Sequence, residues 1–136
     1  MDCIFCKIIN GELPSKKIYE DEHYIAILDI MPVNYGHTLL IPKTHFRNIL
    51  DMPDEYSNSI YYKVKQLAKA IKNGISCDGL NIIQNVESAG GQEVFHAHIH
   101  IVPRYKDDNF RLALQKKKYQ DDAQMDRYAE LIKNNL

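Results

Sequence analysis

Phe95-His96-Ala97-His98-Ile99-His100-Ile101-Val102 is the stretch that decides how this chain is read. From His96 onward polar and apolar residues alternate, the period of a β-strand whose two faces meet different surroundings. Ala97, Ile99 and Ile101 are expected to face a core, and His96, His98 and His100 share the opposite face. Neighbours at i and i+2 sit about 6.6 Å apart and can chelate one ion, whereas His96 and His100 would be about 13 Å apart on a regular strand. Two side chains cannot close that gap around an ion held at bonds of about 2.1 Å. The three imidazoles therefore have at least two jobs, and a catalytic metal shared by all three is disfavoured.

The surroundings of this row set the fold class. A strand over residues 80–86 and a glycine-bearing loop over residues 87–93 precede it, and Pro103 is expected to stop it. Farther upstream, Pro53 with Asp54 and Glu55 marks a helix start. Tyr56, Ile60, Val64, Leu67 and Ile71 recur at helical spacing until Asn73-Gly74. Residues 17–20 and 23–29 read as strands joined by a tight turn at Asp21-Glu22, and residues 37–41 read as another, stopped by Pro42. Ile4 to Ile9 reads as a short helical turn ending at Asn10-Gly11, and Met125, Tyr128, Ala129 and Ile132 mark a final amphipathic helix. One long internal helix cannot provide a crossover for every pairing of five strands. The expectation is an α+β fold with a five-stranded, mostly antiparallel sheet, one long helix, a short N-terminal helix and a C-terminal helix.

Length and composition narrow the function classes. With 136 residues, and neither an internal repeat nor a Pro/Gly/Ser-rich linker, the chain is expected to form one domain over 1–136, a core at 1–105 and a tail at 106–136. Seventeen basic and eighteen acidic residues leave a net charge of −1, which lacks the electrostatic footprint of a nucleic-acid binder. Lys116-Lys117-Lys118 reads as a solvated face. No apolar run approaches the roughly 20 residues that span a bilayer, so no membrane partner is expected. The start of the chain lacks the charged-then-apolar layout of a secretion signal, and three cysteines do not suit a disulfide framework; both point to the cytoplasm. Cys3-x-x-Cys6 on its own is open to metal-binding, redox or plain thiol readings. Cys77 reads as a core thiol, and His23, beside Glu22, as a histidine without special duty.

The row His96-x-His98-x-His100 with apolar partners resembles the signature of the histidine-triad (HIT) superfamily. Further segments are similar to it in the same order: Cys3-Ile4-Phe5-Cys6-Lys7-Ile8-Ile9, Leu28-Asp29-Ile30, Gly36-His37-Thr38-Leu39-Leu40-Ile41-Pro42-Lys43-Thr44-His45 and Gly91-Gln92-Glu93-Val94-Phe95-His96. The resemblance spans roughly residues 1–105 and leans to the Hint-like branch, especially its zinc-containing bacterial-type members. It implies a nucleotidyl hydrolase or transferase acting on purine nucleoside phosphoramidates, dinucleoside polyphosphates or related adenylated compounds. His98 would be the nucleophile toward the α-phosphorus, forming a nucleotidyl-histidine that water cleaves to release a nucleoside monophosphate. A neutral imidazole with a pKa near 6.5 suits that role at physiological pH.

By the same resemblance His100 would stabilise or protonate at the phosphate, and its presence favours hydrolysis, since the uridylyltransferase branch carries glutamine there. His37 matches a supporting active-site histidine. Gly91, Gln92 and Glu93 belong to the segment that meets the phosphate, where a glycine lets backbone N–H approach closely. Asn85 matches a position at the phosphate and ribose end, and Asp29 the carboxylate for the ribose hydroxyls. Phe5, Ile8, Ile27 and Ile30 correspond to the apolar slot for the base; plain core is the other reading of these four. Cys3, Cys6, His45 and His96 match the ligands of a structural Zn2+, a closed tetrahedral set that leaves His98 and His100 to the phosphate. Glu93 departs from the serine or threonine usual there and puts the leaving-group preference in question. The competing reading is a nucleotide-binding scaffold with vestigial catalysis. A homodimer joining two sheets edge to edge is the family's habit.

Overall fold

The computed structural model describes residues 2–111 and 115–136. In chain order they form α1 (Ile4–Ile9), β1 (Lys17–Glu20), β2 (Tyr24–Leu28), β3 (Thr38–Pro42), a 3-10 turn (Ile49–Asp51), α2 (Asp54–Ile75), β4 (Gly79–Ile83), a second 3-10 turn (Ser88–Gly90), β5 (Ile99–Arg104) and α3 (Asp122–Lys133). The strands make one sheet in the order β1-β2-β3-β5-β4, and every adjacent pair is antiparallel. The expected α+β class holds, with the sheet wholly antiparallel.

Alternation along the strands sends side chains to two different covers. Ala26, Leu40 and Ile99 stand in register across β2, β3 and β5. With Ala97 and Ile101 they pack against Tyr56, Ile60, Val64, Leu67 and Ile71, the apolar stripe of α2. The neighbouring row, Ile27, Leu39 and His100, faces the other way. There Ile25, Ile27, Leu39 and Ile41 pack with Cys3, Phe5 and Ile8 of the N-terminal segment. Helix α1 is too short to cover that face, so the sheet is half open on the histidine side. Burying each such apolar side chain is worth about 1.5–3 kcal/mol, which makes α2 the main support of the fold.

Several element limits differ from expectation. The strand expected over residues 95–102 begins only at Ile99, and a bend holds Val94, Phe95 and His96. Pro42 is the cause. It has no N–H, and its carbonyl accepts the Nε2–H of His96 at 2.8 Å, so the β3–β5 ladder ends at the pair Leu40–Ile99. The freed N–H of Ala97 donates to the Phe46 carbonyl at 2.7 Å. Pro42 is the last residue of β3, as expected, whereas Pro103 lies inside β5 and does not stop it. Each sits where its strand has a partner on one side only, beyond the residues that β3 and β5 share, and a residue without an N–H is tolerated there. Helix α2 passes Gly74 and ends at Ile75, capped by Ser76 in the left-handed conformation at φ 54°. Strand β4 ends at Ile83, short of the expected Val86, and the final helix is present with no buried residue.

Candidate active site

A cleft of about 570 Å³ opens on the half-covered face of the sheet. Phe5, Ile8, Ile27 and Leu39 line its floor, Ile30 its rim, and Asp29, Asn85, Gly91, Glu93, His98 and His100 supply the polar lining. Phe5, Ile8 and Ile27 are also core residues, so the two readings of them coincide. Ile30 is 91% exposed and is not core.

Three of the histidines form a connected set whose protons can be traced. His98 is buried, and its Nδ1 lies 2.7 Å from the carbonyl oxygen of His96. Nδ1 must donate there, which leaves the Nε2 lone pair free on a ring that lines the cleft. The edge-on ring of Phe5, with centroids 5.0 Å apart, packs against this imidazole and limits its rotation. At His37 the order reverses. The Val33 amide donates to His37 Nδ1 at 3.1 Å, so the proton of the neutral ring is on Nε2. That nitrogen sits 2.9 Å from His100 Nδ1, which accepts, and the proton of His100 is therefore on its own Nε2. One imidazole thus offers a lone pair and the next an N–H donor, with ring centroids 4.9 Å apart.

Burial keeps the set neutral. It lowers the pKa of His37, His96 and His98 below the usual histidine value. Burial first, and then the neighbouring His98 and His37, push His100 down to about 4. Asp29 closes the arrangement: one carboxylate oxygen accepts the Met31 amide at 2.9 Å and the other lies 3.6 Å from His37 Nε2. Asp29, His37 and His100 are close enough to suggest an ion site. The nitrogen that His37 turns toward the group carries a proton, however, and has no lone pair for a cation.

His96 is turned away from this set, as the spacing argument required. Its Nδ1 lies 3.3 Å from Cys3 Sγ, 3.6 Å from Cys6 Sγ and 3.1 Å from His45 Nδ1, and Cys6 Sγ lies 3.4 Å from His45 Nδ1. A tetrahedron with Zn–S bonds of about 2.3 Å and Zn–N bonds of about 2.1 Å has edges of roughly 3.4–3.8 Å, close to these separations. The proton of His96 is spent on Pro42, so Nδ1 has its lone pair free, and the backbone acceptor is the kind of partner that orients a metal-binding imidazole. These four donors fit a zinc ion with no position left for substrate. They would link α1, the segment after β3 and the bend before β5.

Gly91 has φ +90° and its carbonyl accepts the Asn85 amide at 3.2 Å. Gln92 is placed differently from expectation: its side chain is turned inward and does not line the cleft. Its Nε2 donates to the carbonyls of Arg47 and Val94 at 2.6 and 3.1 Å, and its Oε1 accepts the Glu87 amide at 2.9 Å. At 4% exposure it organises the loop from within, since an amide buried there must satisfy both of its ends. The sequence reading missed Arg47, Asn48 and Glu87, which join this network. The one available signal was the capping pattern Asn48-x-x-Asp51, which the structure forms. Cys77 is buried, and His23 is exposed beside Glu22. Among the described residues no helix is long and apolar enough to cross a membrane.

Comparison with known proteins agrees with this geometry. The HIT domain family model matches residues 10–107. Protein hit of Bacillus subtilis is 50% identical over 110 residues, covering 80% of this chain and 76% of that protein. An adenosine 5′-monophosphoramidase of Saccharomyces cerevisiae is 44% identical over 75% of this chain and 62% of its own length. An adenylylsulfatase of Arabidopsis thaliana is 42% identical over 79% of this chain and 54% of its own length. Among solved structures, a Streptococcus mutans protein superposes with a TM-score of 0.92 at 42% identity, covering 98% of this chain and 85% of that one. A zinc-bound histidine-triad protein of Mycobacterium smegmatis superposes with a TM-score of 0.77 at 38% identity, covering 99% and 96%.

Proposed function

The chain belongs to the HIT family, and from that premise we propose that it is a nucleotidyl hydrolase releasing a nucleoside monophosphate through a nucleotidyl-His98 intermediate. The observation that carries the reading is the Nδ1–H of His98 on the His96 carbonyl, which leaves Nε2 as a lone pair in the cleft. Nε2 attacks the α-phosphorus, the P–Nε2 bond forms, and the bond to the leaving group breaks with its electron pair. The ring becomes cationic, and the His96 carbonyl steadies that charge through the Nδ1–H. His100, with its proton on Nε2, donates to a phosphate oxygen or to the departing atom. Water then adds at phosphorus as the P–N electron pair returns to His98 Nε2, and the proton lost by the water passes to the departed group or to solvent. His37 acts through His100 as a positioning residue.

The cleft and the family together support one substrate class. Asp29 would take the ribose hydroxyls, Asn85 and the Gly91 backbone the phosphate end, and Phe5, Ile8, Ile27 and Ile30 the purine. Purine nucleoside phosphoramidates and dinucleoside polyphosphates are the candidate substrates, and the names of the yeast and plant relatives support hydrolysis of adenylated compounds. Cys3, Cys6, His45 and His96 would hold a structural Zn2+, which supplies a rigid cross-link when bound. Residues 1–136 are taken as one HIT domain with a C-terminal tail, acting in the cytoplasm. By family habit it would be a homodimer, and β4, which among the described residues pairs only with β5, is an edge that dimerisation would cover.

A second reading, a nucleotide-binding scaffold with weak catalysis, draws on Glu93, which lines the cleft; a carboxylate turned into it would repel a phosphate. Turnover of adenosine 5′-phosphoramidate and diadenosine polyphosphates by wild type and His98→Ala separates the two. AMP release with a trapped nucleotidyl-His98, both lost in the variant, is the expected result. Folded protein that binds AMP and turns over neither substrate would establish the scaffold reading.

A further inference from the structure

Glu87 opens the loop that carries Gly91 and adopts φ 64° and ψ 164°, a conformation that glycine alone reaches without strain. A side chain held there needs compensation from its surroundings, and the structure provides it on every polar group of the residue. Arg47 reaches both carboxylate oxygens through Nε and Nη2 at 3.1 and 2.7 Å, and Asn48 Nδ2 adds a third donor at 3.0 Å. The backbone N–H donates to Gln92 Oε1, and the carbonyl accepts the amides of Gly90 and Gln92 at 3.0 and 3.1 Å. The guanidinium is itself fixed, stacked 4.3 Å above the ring of Phe95.

These contacts join two parts of the site that are forty residues apart in sequence. Arg47 and Asn48 follow His45 of the Cys/His cluster, and Glu87 to Gln92 form the loop that places Gly91 beside Asn85 at the cleft. We propose that Glu87, through Arg47, is a positioning residue that sets the phosphate-facing loop against the segment bearing His45, with local backbone strain offset by the ion pair. The proposal rests on the reading of Gly91 as a phosphate contact. A glycine at position 87 would relax the backbone and release the tether, so stability and function should part company there.

The test uses the full chain with Glu87→Gly, Glu87→Gln, Arg47→Ala and the Arg47→Ala/Glu87→Gly pair. Thermal midpoint, kcat and KM for adenosine 5′-phosphoramidate, and amide exchange of residues 88–92 are measured on each. Expected are a thermal midpoint for Glu87→Gly close to that of wild type, a kcat/KM at least tenfold lower, and faster exchange in the loop. Glu87→Gln should fall between, and the double variant should lose no more than the worse single one. A kcat/KM for Glu87→Gly within twofold of wild type, independent losses that multiply in the double variant, or activity that only tracks the folded fraction would overturn the proposal. If wild type turns over no AMP conjugate, the hydrolase reading fails by itself, and AMP affinity measured by calorimetry on the same variants still decides the role of Glu87.

Discussion

His37 Nε2 lies 2.9 Å from His100 Nδ1, and the direction of that hydrogen bond is set on the other side of the His37 ring by the Val33 amide. Because Val33 donates to His37, His37 must donate to His100, and the proton of His100 is left on the nitrogen that can meet a substrate. A backbone N–H outside the histidine row thus chooses the tautomer of a proposed catalytic side chain.

His37→Ala should therefore lower kcat by about 10–100-fold, the range for partners that orient a functional imidazole. The protein should stay folded, because His37 belongs to neither apolar cluster. His100→Gln should cost about 10²–10⁴ in kcat, and the nucleotidyl-enzyme should persist longer if His100 also serves the water step. Steady-state kinetics with trapping of the intermediate checks both.

Zinc removal should act on stability before chemistry. Chelator treatment, or Cys6→Ser, should lower the thermal midpoint by roughly 5–10 °C, as expected for losing a few kcal/mol from a chain of this size. Turnover by the remaining folded protein should persist at low temperature. Loss of activity with an unchanged midpoint would point to a catalytic metal.

Stability should fall with acid below about pH 6.5. His100 in the folded chain titrates at about 4, below the unfolded value. Its contribution is thus fully present above the unfolded pKa and is lost as pH falls toward 4, because the unfolded chain binds the proton first. The linkage amounts to about 2 kcal/mol at pH 5 for this one group. Urea unfolding at pH 7.5 and 5 should show the drop, and His100→Gln should make it shallower.

Gly91→Ala tests the loop itself. A Cβ would meet only the Asn85 amide at 3.5 Å, so space is available and the cost comes from φ +90°. Destabilisation of about 1–2 kcal/mol is expected. A rise in KM for adenosine 5′-phosphoramidate should accompany it if the Gly91 backbone meets the phosphate. Glu93→Ser should change the ratio of rates for phosphoramidate and polyphosphate substrates, and an unchanged ratio together with an unchanged rate would remove Glu93 from any role with the leaving group.

What the sequence alone determined was carried by periodicity and spacing. Ala97, Ile99 and Ile101 had to be core because alternation allows nothing else beside three imidazoles, and Tyr56 to Ile71 had to be one helical stripe. The distance between His96 and His100 on any strand already divided the row into two jobs. Tertiary structure decided whatever depends on partners remote in sequence. Pro42 ends a ladder whose other strand lies more than fifty residues away, and that break turns His96 from the cleft toward the cysteines. Gln92 goes inward because the carbonyls of Arg47 and Val94 need its amide. The protons on His98, His37 and His100 follow from one carbonyl and one amide whose positions no spacing rule supplies, since a hydrogen bond's direction is known only when both of its ends are in place.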